Sequence, residues 1–315
     1  MGRCCRKFPY FFTYLYFARK FINVRFRFNK NTCKDILKES VPFGLSLILN
    51  TIYFRLDTVL FSLILPRSID GVCQSAYCAD TEVGSYMVGV RMLEVLTLVP
   101  IFFMNSVLPV MTRHIREKSQ KLKDIMNYSF YFLLAIGSAG AVGIAILARK
   151  ITLLLSSKEF LTNDGVYGSD TAIQILMGAM FLCYLANFLG FSIIALGEQK
   201  KLLWINFWAV LFNLTSNLWV IPHYGLRGAA TTSVISEFII FTLCFITLKK
   251  ISPEFTPKLT RVIKILFSST VMGALVYFFQ FSLLLSIGGG MLIFFALLYF
   301  TKAITPEMLL ILKKK

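Results

Sequence analysis

This sequence predicts an all-α fold, a polytopic transmembrane helix bundle of about eight spans, on three observations. The chain is 57% hydrophobic and 16% charged over 315 residues, with a mean hydropathy of +0.70, whereas soluble domains carry about 25% charged residues. Its apolar residues collect into stretches of the length, about 20 residues, that a helix needs to cross a bilayer. Of 33 Lys and Arg, 26 fall in segments that alternate onto one side of such a bundle and five onto the other. That asymmetry is the positive-inside signature.

Taken in order, the chain opens on Met1-Gly-Arg-Cys-Cys-Arg-Lys7 and an apolar run, Phe8–Ala18, of 11 residues that ends at Arg19-Lys20. The run lacks a small-residue cleavage site and is too short to span, so it reads as an interfacial helix or as the tail of a span whose beginning is missing. Residues 1–35 are therefore set apart as a basic N-terminal segment. Spans are expected at about 41–65, 83–111, 127–155, 171–196, 201–221, 228–248, 261–278 and 284–301. Pro42 suits the first turn of the first span, where its missing N–H does no harm. Pro222-His-Tyr-Gly225 reads as a short turn between two spans, and Pro253 and Pro257 punctuate the loop before the seventh. The last boundary is set at the polar break around Gln280–Ser282. An even span count puts both termini on the basic side, which is the cytoplasmic side of a cell membrane.

The net charge of +17 is thereby explained as topology and calls for no nucleic-acid partner. Only two histidines, His114 and His223, are present, in loops on opposite faces, and the seven cysteines lack zinc or redox spacing. With no Gly-rich phosphate loop and no converging nucleophile or metal set, an enzyme, a metal centre and a bound cofactor are not expected. Cys73 and Cys78 share one polar loop, where a disulfide and two free thiols both remain open. The phenylalanines and tyrosines, 31 and 13 in number, suit a lipid-facing and interfacial role.

The residues that stand out are ionisable groups inside spans, which cost roughly 2.5 to 3.5 kcal/mol each at a helix centre and so are paired or face a cavity. At 1.5 Å per residue, Arg55 and Asp57 lie roughly 15 and 12 Å below the outer end of the first span, and Arg91 and Glu94 roughly 12 and 16 Å down the second. The depths match in opposite charges, which predicts Arg55 near Glu94 or Asp57 near Arg91. Arg91 and Glu94 share a face, whereas Arg55 and Asp57, about 200° apart, cannot address the same neighbour. Either the charges pin two helices, or an arginine faces a hydrated cavity and meets an anionic substrate through its guanidinium. A second polar set lies on the fifth and sixth spans. Asn206, Asn213 and Asn217 keep within about 40° of one another, and Glu237 sits near the level of Asn213. Hydrogen bonding between helices is the simpler use of that set. Gly137, Gly140, Gly143 and Gly228-Ala-Ala230 read as close-packing positions.

Several strings carry a family resemblance. They are Glu39-Ser-Val-Pro-Phe-Gly-Leu-Ser, Tyr53-Phe-Arg-Leu-Asp57-Thr-Val-Leu, Glu82-Val-Gly-Ser-Tyr-Met-Val-Gly-Val-Arg91-Met-Leu-Glu94 and Phe103-Met-Asn-Ser-Val-Leu-Pro109-Val-Met. Ala195-Leu-Gly-Glu-Gln-Lys200, the run from Asn213 through Asn217 and Pro222 to Ala230, and Thr305-Pro-Glu-Met-Leu follow in order. From about residue 36 to the end, the ordered set resembles the C-terminal portion of Wzx-like oligosaccharide and polysaccharide flippases of the multidrug/oligosaccharidyl-lipid/polysaccharide exporter superfamily. The resemblance implies a second six-helix lobe (36–250) plus two extra C-terminal helices and a basic tail (251–315). It implies a central cavity between two lobes that carries an oligosaccharide linked through phosphate to a polyprenol across the cytoplasmic (plasma) membrane. Arg55 and Arg91 would meet the anionic linkage, with Asp57 and Glu94 orienting them or serving ion coupling. About six upstream spans of a full member are missing, so a truncated member, a separately supplied N-terminal lobe or a homo-oligomer is expected. The alternatives are a cation-coupled drug exporter of the same superfamily and a non-transporting membrane scaffold or remnant.

Overall fold

A computed structural model of the chain describes residues 29–65, 79–119, 121–162, 167–253, 255–279 and 282–302. The expected loop with Cys73 and Cys78, the Phe8–Ala18 run and Thr305-Pro-Glu-Met-Leu lie outside them. The chain divides into two compact units, Met1–Val41 and Pro42–Lys315. What is described of the first, 29–41, is helical from Lys30 onward.

Seven α-helices are described: α1 (Lys30–Ile64), α2 (Ala79–Arg116), α3 (Lys121–Leu155), α4 (Ser169–Ala195), α5 (Gln199–Ile251), α6 (Leu259–Phe279) and α7 (Leu283–Phe300). A 3-10 turn, Lys158–Phe160, follows α3. Six of these helices are long and apolar enough to cross a membrane, and α1, bent by 44° between Gly44–Tyr53 and Arg55–Ile64, makes a seventh. At 53 residues α5 would run about 80 Å as one rod, far more than a hydrocarbon core of about 30 Å. It is broken instead at Gly225, so each of the eight expected stretches falls on a helix or on one arm of α5.

Two boundaries differ from expectation. α1 begins at Lys30, so residue 42 lies within the helix and not in its first turn. Hydropathy locates the part of a helix that can sit in lipid, while the polar residues 30–40 prolong the same helix beyond it. Pro222-His-Tyr-Gly225 is not a four-residue turn either. Helix continues through Tyr224, and the break is concentrated at Gly225, with φ 53° and ψ −137°. Side chains are strained at that φ, and glycine is not. The last boundary falls where the polar break put it, between Phe279 and Leu283.

α4 packs against α2, α3 and α5, and α6 against α3 and α7. Two thirds of the apolar window of α4 is buried, as suits a helix hydrophobic all round. Ala172, Ile173, Phe188, Leu189 and Ile193 on α4 are completely enclosed. Gly137 lets α3 approach α4 closely, since a Cβ there would come within 3.1 Å of Tyr184, while Gly140 and Gly143 have ordinary space around them. The outside is apolar too: Leu284, Leu292 and Phe300 of α7 are 83%, 75% and 79% exposed. In water such a surface would cost about 25 cal/mol per Å². Against lipid tails it costs nothing comparable, and the chain is a multi-pass membrane protein.

Candidate functional site

Asp57 is buried on α1 and accepts three hydrogen bonds from three different helical segments. Tyr86 Oη of α2 donates at 2.7 Å and Ser233 Oγ of the second arm of α5 at 2.9 Å, both to Oδ2. Asn217 Nδ2 of the first arm donates to Oδ1 at 2.7 Å and also reaches Asn213 Oδ1 at 3.2 Å. The Phe61 ring packs against the Tyr86 ring, 5.2 Å between centroids. One carboxylate thus ties α1 to α2 and to both arms of α5 using neutral donors alone.

Beside it lies a cavity of about 20 Å³ lined by Tyr53, Asp57, Tyr86, Ser233 and Glu237 among others. That is room for one or two water-sized occupants, at about 10 to 15 Å³ of such volume each. Glu237 is buried, with the Tyr53 hydroxyl as its hydrogen-bond partner, and Tyr53 also donates to the Ser233 carbonyl at 3.4 Å. Tyr53 precedes Asp57 by four residues and Ser233 precedes Glu237 by four, and the pairing is crossed: the hydroxyl one turn before each acid serves the acid on the other helix.

The arginines stand apart from this knot. Arg55 Nη2 meets Glu94 Oε1 at 3.2 Å, and Arg91 Nη1 meets Glu94 Oε2 at 3.0 Å. Two guanidiniums share one carboxylate, leaving one positive charge in excess. The arginine side chains are 49% and 59% exposed, against 25% for Glu94.

Of the two pairings expected from depth, the structure makes Arg55–Glu94 and does not make Asp57–Arg91. The reason is the 200° between Arg55 and Asp57: once Arg55 turns toward Glu94, Asp57 faces the interior, where hydroxyls and an amide replace the arginine. Asn206 joins the same side of α5, donating to Ser46 Oγ of α1 at 2.7 Å. All three asparagines therefore serve the α1–α5 contact, directly or through Asn217. Tyr86, Ser233 and Tyr53 were not singled out by sequence. For Tyr53 and Ser233 the i,i+4 spacing to a buried acid was an available signal, and for Tyr86 there was none.

The break in α5 has its own polar contact. The Glu82 carboxylate of α2 accepts the Leu226 backbone N–H immediately after Gly225, satisfying a donor freed where the second arm begins. Gly228, one turn on, has Val220 and Tyr224 so close that a Cβ would come within 2.5 Å of Val220 Cγ1. No group of three His, Cys, Asp or Glu side chains placed to hold a metal ion occurs among the described residues.

These features define a polytopic α-helical membrane protein with a sealed polar knot and a separate, half-exposed cationic cluster. A family model described as a polysaccharide biosynthesis protein matches residues 10–115. The chain is 31% identical over 219 residues to an uncharacterized membrane protein of Methanocaldococcus jannaschii, covering 66% of this chain and 41% of that one. It is 23% identical to a probable lipid II flippase MurJ of Haemophilus influenzae, over 78% of this chain and 47% of that one. It is 24% identical to the capsular polysaccharide biosynthesis protein CapF of Staphylococcus aureus, over 71% and 52%. Among solved structures, lipid II flippase MurJ in an inward closed conformation superposes with a TM-score of 0.67 at 16% identity, over 90% of this chain and 58% of that one. Over residues 10–115 the chain is thus similar to a polysaccharide biosynthesis protein family, and it shares the all-α fold of the MurJ structure. It spans about half the length of the curated relatives it matches.

Proposed function

We propose that this chain forms a substrate-facing lobe of a flippase that moves lipid-linked saccharide precursors across the cytoplasmic (plasma) membrane, both termini cytoplasmic, without chemistry on the cargo. The observation that carries the reading is the cationic cluster of Arg55, Arg91 and Glu94. An unmatched guanidinium at mid-span is expensive against hydrocarbon and useful against a phosphate, which it grips through two parallel N–H bonds. Glu94 holds both guanidiniums in place while neutralising only one. A second lobe, supplied by further sequence or by another copy, would provide the opposite wall and keep the cluster out of lipid.

Asp57 and Glu237 take a different part in this reading. Their cavity admits a water-sized occupant and no sugar, which suits proton or small-cation coupling better than cargo binding. The same smallness argues against the drug-exporter alternative, because an organic cation has no room beside these acids.

The test is transport of a fluorescent polyprenyl-pyrophosphate saccharide in vesicles holding the assembly this chain forms in its own membrane. Arg55→Ala with Arg91→Ala should lower the flipping rate on the order of 10-fold to 100-fold, the worth of one or two charge-assisted hydrogen bonds. A double variant that folds and moves cargo at the original rate would sink the proposal.

A further inference from the structure

A second cavity, about 470 Å³, opens where α3 begins and where residues 256–258 lead into α6. It lies at the end of the bundle that carries the lysines of 121–123 and 249–258, and the transport reading leaves it unused. Its wall holds three cations, Lys123, Lys258 and Arg261, and one acid, Asp124. None of the four makes an ion pair among the described residues, although each acid or base has opposite charge in the same wall. The geometry is built and not merely crowded. Arg261 lies over the Tyr131 ring, its guanidinium carbon 5.6 Å from the centroid, a cation–π contact that leaves its N–H donors for a ligand. Tyr131 is itself held by the Lys258 backbone N–H, which donates to its hydroxyl at 2.5 Å.

A further group specifies the ligand more narrowly. Asn127 lines the same cavity, is 8% exposed, and its Oδ1 is buried with no hydrogen-bond partner. A buried acceptor left unpaired costs about 1 to 3 kcal/mol, so a donor is called for. The complementary ligand has an anionic phosphate for the cations and a hydroxyl for Asn127. The volume suits a small-molecule site, and the N-terminus of α6 adds its positive dipole end. Basic pockets between membrane helices hold lipid phosphates by the same electrostatics.

We propose that this cavity binds the headgroup of an anionic glycerophospholipid that carries a free hydroxyl, its phosphodiester against Lys123, Lys258 and Arg261 and its hydroxyl donating to Asn127 Oδ1 once that amide turns into the cavity. A choline headgroup would bring a fourth cation and no donor. The site does not depend on the flippase reading, since it is removed from the Arg55–Arg91 cluster.

The full chain, purified in detergent, is offered phosphatidylglycerol, phosphatidylcholine or millimolar inorganic phosphate, and retained lipid is counted by native mass spectrometry alongside the thermal unfolding midpoint. Phosphatidylglycerol should be retained and stabilising, and the other two should not. Lys123→Gln with Arg261→Gln should lower retention on the order of 10-fold, while Lys249→Gln with Lys250→Gln, which removes the same charge outside the cavity, should leave it unchanged. Equal retention of both lipids, equal stabilisation by inorganic phosphate, or equal loss in the two double variants would each overturn the assignment. Should the cavity variant fail to fold, the three-way comparison on the unaltered chain still decides.

Discussion

Arg55 and Asp57 are two residues apart on one helix, yet the structure treats their charges in opposite ways. Asp57 is enclosed and surrounded by neutral donors from α2 and both arms of α5. Arg55 is half exposed and paired with a carboxylate that it shares with Arg91. The difference teaches where each kind of interaction is suited. Inside the bundle, a carboxylate met by hydroxyls and an amide links several segments without bringing in a second costly ion. At an open face, an ion pair contributes little to stability but keeps a charge available to a ligand. On the proposed reading Asp57 ties the helices together and lines the small coupling cavity, whereas Arg55 faces the cargo, and substitutions should separate the two.

The largest effect on stability is expected at Asp57. In Asp57→Ala, Tyr86, Ser233 and Asn217 lose their shared acceptor, at about 2 to 3 kcal/mol for three bonds of about 1 kcal/mol each. Asp57→Asn keeps an acceptor oxygen and should recover at least half of that loss. Denaturant unfolding in micelles, followed by helical circular dichroism, measures both. If Asp57→Ala unfolds at the original midpoint, the knot does not hold the helices together.

Next in size is the break in α5, where a polar contact serves the backbone instead of a side chain. Gly225→Ala forces a Cβ onto φ 53° and should cost about 2 kcal/mol. Glu82→Ala removes the acceptor of the Leu226 N–H and should cost about 1 kcal/mol, as for the loss of a helix cap. The two sites share the same turn, so the double variant should lose less than the sum. An additive double variant would show that Glu82 does not act through this break.

Much of this was legible before the structure. Lipid imposes a length and an apolarity on every span, so the eight stretches, the all-α class and the polar break after Phe279 can be read directly from composition along the chain. Depth counting also found Arg55 and Glu94, because opposite charges at one depth in adjacent helices have few other partners. What stayed hidden depends on which face of each helix meets which neighbour. Asp57 could be known to point away from Arg55, but not that Tyr86 and Ser233 would be waiting, since a tyrosine and a serine in an apolar span look like packing residues. The Lys30 start of α1 was missed because polar residues extend a helix beyond the bilayer without any hydropathy signal. In sequence Gly225 looks like one of four turn residues, because Pro222 signals an earlier stop.

The smallest stability effect and the sharpest functional one should coincide at Glu94. Glu94→Gln removes both ion pairs, but these groups are a quarter to more than half exposed, so the loss should stay under about 1 kcal/mol. Exchanging the partners, Arg55→Glu with Glu94→Arg, restores one pair and keeps the net charge of the cluster, while placing Arg91 beside a second arginine. If the cluster merely pins α1 to α2, the exchange should restore stability and transport together. If it presents two oriented guanidiniums to a phosphate, the exchange should restore the unfolding midpoint to within about 0.5 kcal/mol, in the range of exposed pairs, and leave transport depressed. Measuring both quantities on one preparation separates a helix clamp from a cargo contact, because only the second depends on where the positive charges sit and not on how many there are.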